Sequence, residues 1–272
     1  AYRFDESDGS FRFTPYSREE RAAVPFLTDD YLPPREWRTL SQPETLALRQ
    51  SKPLHFVFHS GFCCSTLLTA CLNVPGLASG FSEPLILNDI VGWRLRGAAP
   101  DQIGRALNDA LRLLARPFSG DQAAVVKPSN ILNGLAMAML ALQPAAQAVV
   151  MHAPLEDFLI SIAKKGLDGR RWARTLFVKL RAQGCMQPLG FNDADFFEQT
   201  DLQIAAMAWL AQQSLFATLI ASYPDRVCTL DSETFMADTE RTIRRVAAFF
   251  DLRISESQRA TISSGPLARD SK

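Results

Sequence analysis

The chain has 272 residues, 47% of them hydrophobic and 21% charged, a composition with ample apolar material for a sizeable core. Lys plus Arg (29) equals Asp plus Glu (29), so no global field favours nucleic acid or a membrane surface, and an anionic ligand has to be held by local features. The five cysteines are odd in number, two of them adjacent, with no C-x-x-C pair. This predicts free thiols in a reducing, cytoplasmic setting rather than a disulfide scaffold or a zinc site, and no metal ligands are expected.

Residues 1–52 carry Pro15, Pro25, Pro33, Pro34 and Pro43, a density that prevents long helices. They are read as an irregular arm that packs on the main domain (53–272) through Phe11, Phe13, Tyr16, Phe26, Tyr31 and Trp37, or reaches a partner subunit to make a homodimer. The run 54–58, Leu-His-Phe-Val-Phe, predicts a strand buried on both faces. A tight loop and a helix over 65–72 follow. Helices are predicted over 83–93, 102–115, 130–142, 155–165, 169–182, 202–222 and 239–250, and a capping box at Ser255 and Gln258 opens the last. Further strands are predicted at 123–126, 146–151 and 226–230. No N-terminal basic flank leads into an apolar run, and the most apolar stretch, 131–151, is interrupted by polar residues and a proline, so neither a leader nor a membrane span is expected. Strands alternating with helices predict an α/β domain, three-layer α/β/α, with a mainly parallel sheet.

Ligands of parallel sheets sit at the carboxyl ends of strands. A loop there that feeds a helix offers unpaired N–H groups and a positive dipole end, an anion site needing no side-chain charge. The stretch His59-Ser60-Gly61-Phe62-Cys63-Cys64-Ser65-Thr66 fits that position. It lacks G-x-x-x-x-G-K-[ST], with Ser65 where a nucleotide triphosphatase carries its Lys. A tight turn with no ligand is the plain alternative. Near the helix start a thiolate is stabilised, so Cys63 and Cys64 are either reactive thiols or small residues filling the turn. Lys127 and His152 each follow a buried strand and so lie at the same edge. Lys127 suits phosphate or sulfate oxygens, and His152 an anion or a proton. Lys164, Lys165, Arg170 and Arg171 form either a solvated helix end or an anion clamp.

The order of these segments resembles the sulfotransferase family, on a P-loop type of fold. In that family a loop such as P-[RK]-S-G-T-[ST]-L-L follows the first strand; here Gly61-Phe62-Cys63-Cys64-Ser65-Thr66-Leu67-Leu68 stands in its place, with Phe62 for the basic residue and Cys64 for the glycine. Ser82-Glu83-Pro84, Val126-Lys127-Pro128-Ser129 and His152-Ala153-Pro154-Leu155-Glu156 match later landmarks, as does a terminal helix ending at Leu252. The usual Arg is replaced by His152, and Ser161 lies one residue beyond the usual spacing. The resemblance implies a sulfuryl donor, 3′-phosphoadenosine 5′-phosphosulfate, and a small-molecule or glycan acceptor. It implies Glu83 as base, Lys127 and His152 as catalytic partners, and Ser60, Gly61, Phe62, Cys63, Cys64, Ser65, Thr66, Ser161, Lys165 and Arg171 as donor-binding residues. A basic C-terminal tail with Arg269 and Lys272 is expected to be mobile and to close over the nucleotide. An ATP-dependent small-molecule kinase and a non-catalytic nucleotide-binding module remain open as alternatives.

Overall fold

The computed structural model describes residues 1–48, 52–191 and 193–270. Five strands form a parallel sheet: β4 (Leu54–His59), β5 (Ala78–Ser82), β6 (Ala123–Lys127), β7 (Ala148–His152) and β8 (Val227–Asp231), in the order β5-β6-β4-β7-β8. Every residue of β4 is buried. Phe56 and Phe58 point into one core with the helices Leu85–Leu95 and Pro100–Leu114, while Val57 points into the other with Ser65–Leu72 and Thr239–Phe249. A strand that must feed two apolar layers cannot alternate polar and apolar residues, which is why its run reads continuously hydrophobic. The three-layer parallel α/β architecture is therefore as the sequence predicts.

The strand β5 escapes sequence reading. Ala-Ser-Gly-Phe-Ser has no β-branched residue and a central glycine. Gly80 is required there because a Cβ would lie 2.8 Å from Asn73 Cβ and 3.0 Å from the Thr69 carbonyl, so the helix packs directly on the strand backbone. The outer edge of β5 is covered by the arm. Leu27 N–H donates to the Ser82 carbonyl at 2.8 Å and Arg18 to the Ala78 carbonyl at 3.0 Å, which blunts an otherwise open edge.

The arm itself is less irregular than the prolines imply. Strands β1 (Arg3–Asp5), β2 (Ser10–Phe13) and β3 (Arg38–Leu40) form an antiparallel sheet, with Phe4 and Phe11 buried in the main core. Phe13 and Tyr16 pack against that core, whereas Tyr31 and Trp37 are about half exposed. Arg3 forks onto Asp89 through two hydrogen bonds of 2.8 and 2.9 Å, and Arg18 pairs with the fully buried Asp121.

Other boundaries shift for local reasons. The predicted helix over 130–142 is a 3-10 turn, Asn130–Leu135, followed by Ala136–Leu142. The helix expected from 83 starts at Leu85, because Glu83 takes φ +50° before Pro84. The expected mobile tail is a short helix, Pro266–Asp270, whose Leu267 packs on the layer holding the Ser65–Leu72 helix; Lys272 lies outside the described residues. Asp201–Ser222 is long and apolar enough to cross a membrane, but Ile204, Ala208, Ala211 and Phe216 are buried within the fold.

His55, on β4, is buried and stacked on Phe250 at 4.7 Å, and burial lowers its pKa to about 4. The unfolded chain binds the proton near pH 6.5 and the folded chain does not. Stability therefore falls as pH drops from about 6.5 towards 4, by up to roughly 3 kcal/mol from this one residue. Urea unfolding at pH 7 and pH 4.5 checks this, with His55→Asn expected to reduce the difference by up to that amount.

Candidate active site

The parallel register brings three side chains into a row at the carboxyl edge of the sheet. His59 ends β4, Lys127 ends β6, and Glu83 follows β5, whose Ser82 is paired with Lys127. The Glu83 N–H donates to the Lys127 carbonyl at 2.6 Å, which carries the ladder one residue past β5. Lys127 Nζ then meets Glu83 Oε1 at 2.5 Å. The Lys127 side chain is 1% exposed and that of Glu83 18%. Burial lowers the Lys127 pKa, opposed by the Glu83 carboxylate, and the ammonium also lies 4.8 Å from the ring centroid of Phe26 in the arm.

His59 is locked rather than free. Its Nδ1 accepts from the Gly61 N–H at 3.2 Å and its Nε2 donates to the Pro128 carbonyl at 3.1 Å, which fixes the tautomer. Burial, with Lys127 adding to it, holds its pKa well below the ordinary histidine value, so the ring is neutral. Nε2 stands 3.6 Å from Glu83 Oε1. His59 therefore braces the turn and borders the ligand space, with no ring nitrogen left to accept a substrate proton.

The loop from β4 into the Ser65–Leu72 helix is held under backbone strain. Phe62 and Cys64 take φ of +51° and +60°, and Gly61 +92°. Of the four described non-glycine residues with positive φ, three (Phe62, Cys64 and Glu83) line a single cavity of about 600 Å³. Such outliers persist where surrounding structure over-determines them and cluster at working sites. Phe62 acts as an aromatic bolt. Its ring packs edge-on to Phe158 at 5.8 Å and Trp172 at 5.0 Å, tying the loop to the helices Leu155–Lys164 and Gly166–Ala182. Lys165 at the helix junction places its ammonium 5.7 Å from the Phe62 ring centroid, at the rim of the same cavity.

Beneath the loop lies a buried polar network. Gln212 donates to the Ser60 carbonyl at 3.2 Å and accepts from Asn133 Nδ2 at 2.9 Å, while Asn133 also donates to the His59 carbonyl at 3.0 Å. Gln212 and Ser60 are wholly buried. Gln212→Ala strips one partner from the Ser60 carbonyl in a fully buried site and is expected to cost roughly 1–3 kcal/mol. Calorimetric melting of the variant measures it; an unchanged transition temperature would mean that the network does not hold the loop.

Of the residues that the resemblance implies, the cavity gathers Gly61, Phe62, Cys63, Cys64, Ser65, Thr66, Glu83, Lys127 and Lys165. Four others stand apart. Ser60 faces the polar network instead. His152 pairs with Asp231 at 3.7 Å across the β7–β8 register. Ser161 is half-buried outside the cavity lining, and Arg171 is exposed on the outer side of its helix. Nor is the Cys63 thiol activated: burial raises its pKa, and Sγ points to the Met151 carbonyl at 3.6 Å. His59 and Ser129 complete the part of the wall named from the sequence, and sequence reasoning missed Phe26, Asn130, Asp168, Gly169 and Trp172. Of these only Asn130 carried a signal, as the first residue of the helix predicted over 130–142, three residues beyond Lys127.

No family model matches the chain, and no curated protein matches it. Among solved structures, sulfotransferase STF9 from Mycobacterium avium is similar at 13% identity with a TM-score of 0.54, over 85% of this chain and 71% of that one. Sulfotransferase STF1 from Mycobacterium tuberculosis H37Rv shows 15% identity over 82% of this chain and 73% of that one, at a TM-score of 0.49. The sulfotransferase domain from the curacin biosynthetic pathway shows 12% identity over 77% of each chain, at 0.45. On the first of these, the chain has a sulfotransferase-like fold.

Proposed function

We propose that the protein is a sulfotransferase that takes 3′-phosphoadenosine 5′-phosphosulfate as donor and passes its sulfuryl group to a hydroxyl or amine. The observation that carries this reading is the Glu83–Lys127 pair, 2.5 Å apart, on the floor of a cavity whose other wall is a helix N-terminus. Transfer to an alcohol requires a proton acceptor, a cation where negative charge develops, and an anion cradle. Glu83, Lys127 and the Ser65–Thr66 helix start are those three parts, and they line one space.

The chain's residues fit the donor's phosphosulfate through N–H groups of the first helical turn and the hydroxyls of Ser65 and Thr66. Lys127 supplies the buried charge and Lys165 the charge at the rim, in place of the basic residue that Phe62 displaces. In the transfer, the acceptor oxygen or nitrogen forms a bond to sulfur as the bond from sulfur to the bridging oxygen breaks. The acceptor proton goes to a Glu83 oxygen. The electron pair of the broken bond stays on the bridging oxygen of the departing bisphosphate, where Lys127 offsets it. Since both ring nitrogens of His59 are engaged, Glu83 is the carboxylate beside Lys127 that can take the proton.

Thermal-shift titration separates this reading from its rivals. Adenosine 3′,5′-bisphosphate is expected to raise the melting temperature and magnesium ATP to leave it unchanged, since only a ligand of the native state stabilises it. Stabilisation by magnesium ATP alone would favour a kinase, and the absence of any response would sink both enzymatic readings.

A further inference from the structure

A second cavity, of about 560 Å³, adjoins the first: Thr66 lines both, and Ser82 lines the second where Glu83 lines the first. It lies between the arm, the Ser65–Leu72 helix, β5 and the C-terminal helices. Its walls are apolar, from Val24, Leu67, Ala70, Val74 and Pro266 among others, and one cation, Arg21, breaks that character.

Arg21 is placed unlike its neighbour. Arg18 is consumed by Asp121, by Asn73 at 2.8 Å and by the Ala78 carbonyl. Asp121 is saturated in turn by Arg18, Ser79 and the Gly76 N–H. Among the described residues no carboxylate stands within ion-pair distance of Arg21. Its guanidinium carbon instead lies 4.1 Å from the ring centroid of Phe118 and 4.8 Å from that of Phe81. A cation–π contact satisfies no N–H donor by hydrogen bonding, so those donors remain for another group. Burial, with Arg18 nearby, lowers its pKa to about 10, which still leaves it charged at neutral pH. Ser82, one residue before Glu83, also lines the cavity, and its Oγ is buried with no hydrogen-bond partner.

We propose that this second cavity seats the body of the sulfuryl acceptor, an amphipathic molecule with an apolar frame and a single anionic group bound by Arg21. The acceptor's hydroxyl or amine then reaches Ser82 Oγ and Glu83 past Thr66. The acceptor role rests on the sulfuryl-transfer reading; the binding site does not. An apolar frame matches the walls, one anion matches one unpaired cation, and the unpartnered serine matches a polar head arriving at the base.

The test uses two probes with one ring system, 8-anilinonaphthalene-1-sulfonate and its neutral counterpart N-phenyl-1-naphthylamine, titrated by fluorescence with and without saturating adenosine 3′,5′-bisphosphate. The sulfonate is expected to bind one-to-one in both conditions. Arg21→Met, which keeps an apolar stem, is expected to weaken the sulfonate about tenfold and to leave the neutral probe unchanged. Ala70→Trp fills the cavity from an exposed position and is expected to abolish both. Sulfonate binding that is absent, displaced by the bisphosphate, or indifferent to Arg21→Met and Ala70→Trp would overturn the proposal. Because the fluorescence titration is read even if the bisphosphate does not bind, failure here and failure of the donor assignment are distinguishable.

Discussion

Glu83→Gln is expected to lower sulfuryl transfer by about 10²- to 10⁴-fold while leaving adenosine 3′,5′-bisphosphate affinity within about threefold of the parent. The amide oxygen can still accept from Lys127 Nζ, so the contact of 2.5 Å has a substitute and the cavity floor keeps its shape. What is lost is the ability to take a proton, worth roughly 3–5 kcal/mol of barrier at that rate effect. Conversion of the phosphosulfate donor to bisphosphate in the presence of an acceptor pool measures the rate, and calorimetry the affinity. Unchanged turnover removes Glu83 from the chemistry. Parallel loss of turnover and affinity makes it a binding residue.

Lys127→Met has the second large effect, and it falls on stability as well as rate. Lys127 is among the largest fully buried side chains, enclosed by Glu83, His59 and Phe26. Removing it leaves the Glu83 carboxylate without its cation in a partly closed space, at a cost on the order of 3 kcal/mol. The double variant Glu83→Gln, Lys127→Met no longer holds that stranded charge and is expected to be more stable than Lys127→Met alone. Denaturant unfolding of the four proteins in the cycle gives the coupling directly. Were the double variant the least stable of the four, with additive losses, the two groups would not act as a charged pair. For catalysis the same substitution is expected to cost about 10²- to 10³-fold, the scale of losing one preorganised donor to developing charge.

How far the sequence announces this site depends on which physical signal each part leaves. The strand–loop–helix over 54–72 is legible because a strand buried on both faces must be apolar throughout and small residues must follow where the backbone turns into the helix. Lys127 is legible as a charge at a strand end, and Glu83 only through the resemblance carried by Ser82-Glu83-Pro84. Their pairing is not, because it depends on β5 lying beside β6 in register, and β5 has no β-branched residue and a glycine at its centre. Its edge pairing and the close packing at Gly80 override propensity.

Ser161 and Arg171 lie outside the cavity lining for a different reason. On a helix a slip of one residue turns a side chain by about 100°, so a spacing one longer than expected carries Ser161 off the cavity face. On the helix Gly166–Ala182, Trp172 lines the cavity and its neighbour Arg171 is exposed. The arm's sheet is hidden by its prolines, although Phe4 and Phe11 are anchored in the main core. The polar network under the loop depends on Gln212, some 150 residues away in the chain, and no local pattern marks it.

The most direct test of the central claim is a crystal structure of the protein with adenosine 3′,5′-bisphosphate. The account predicts the 5′-phosphate at the Ser65–Thr66 helix start, with Lys127 on its inner side, Lys165 on its outer side and Glu83 facing the vacant sulfuryl position. A nucleotide bound elsewhere, or a 5′-phosphate making no contact with that helix start or with Lys127, would contradict it.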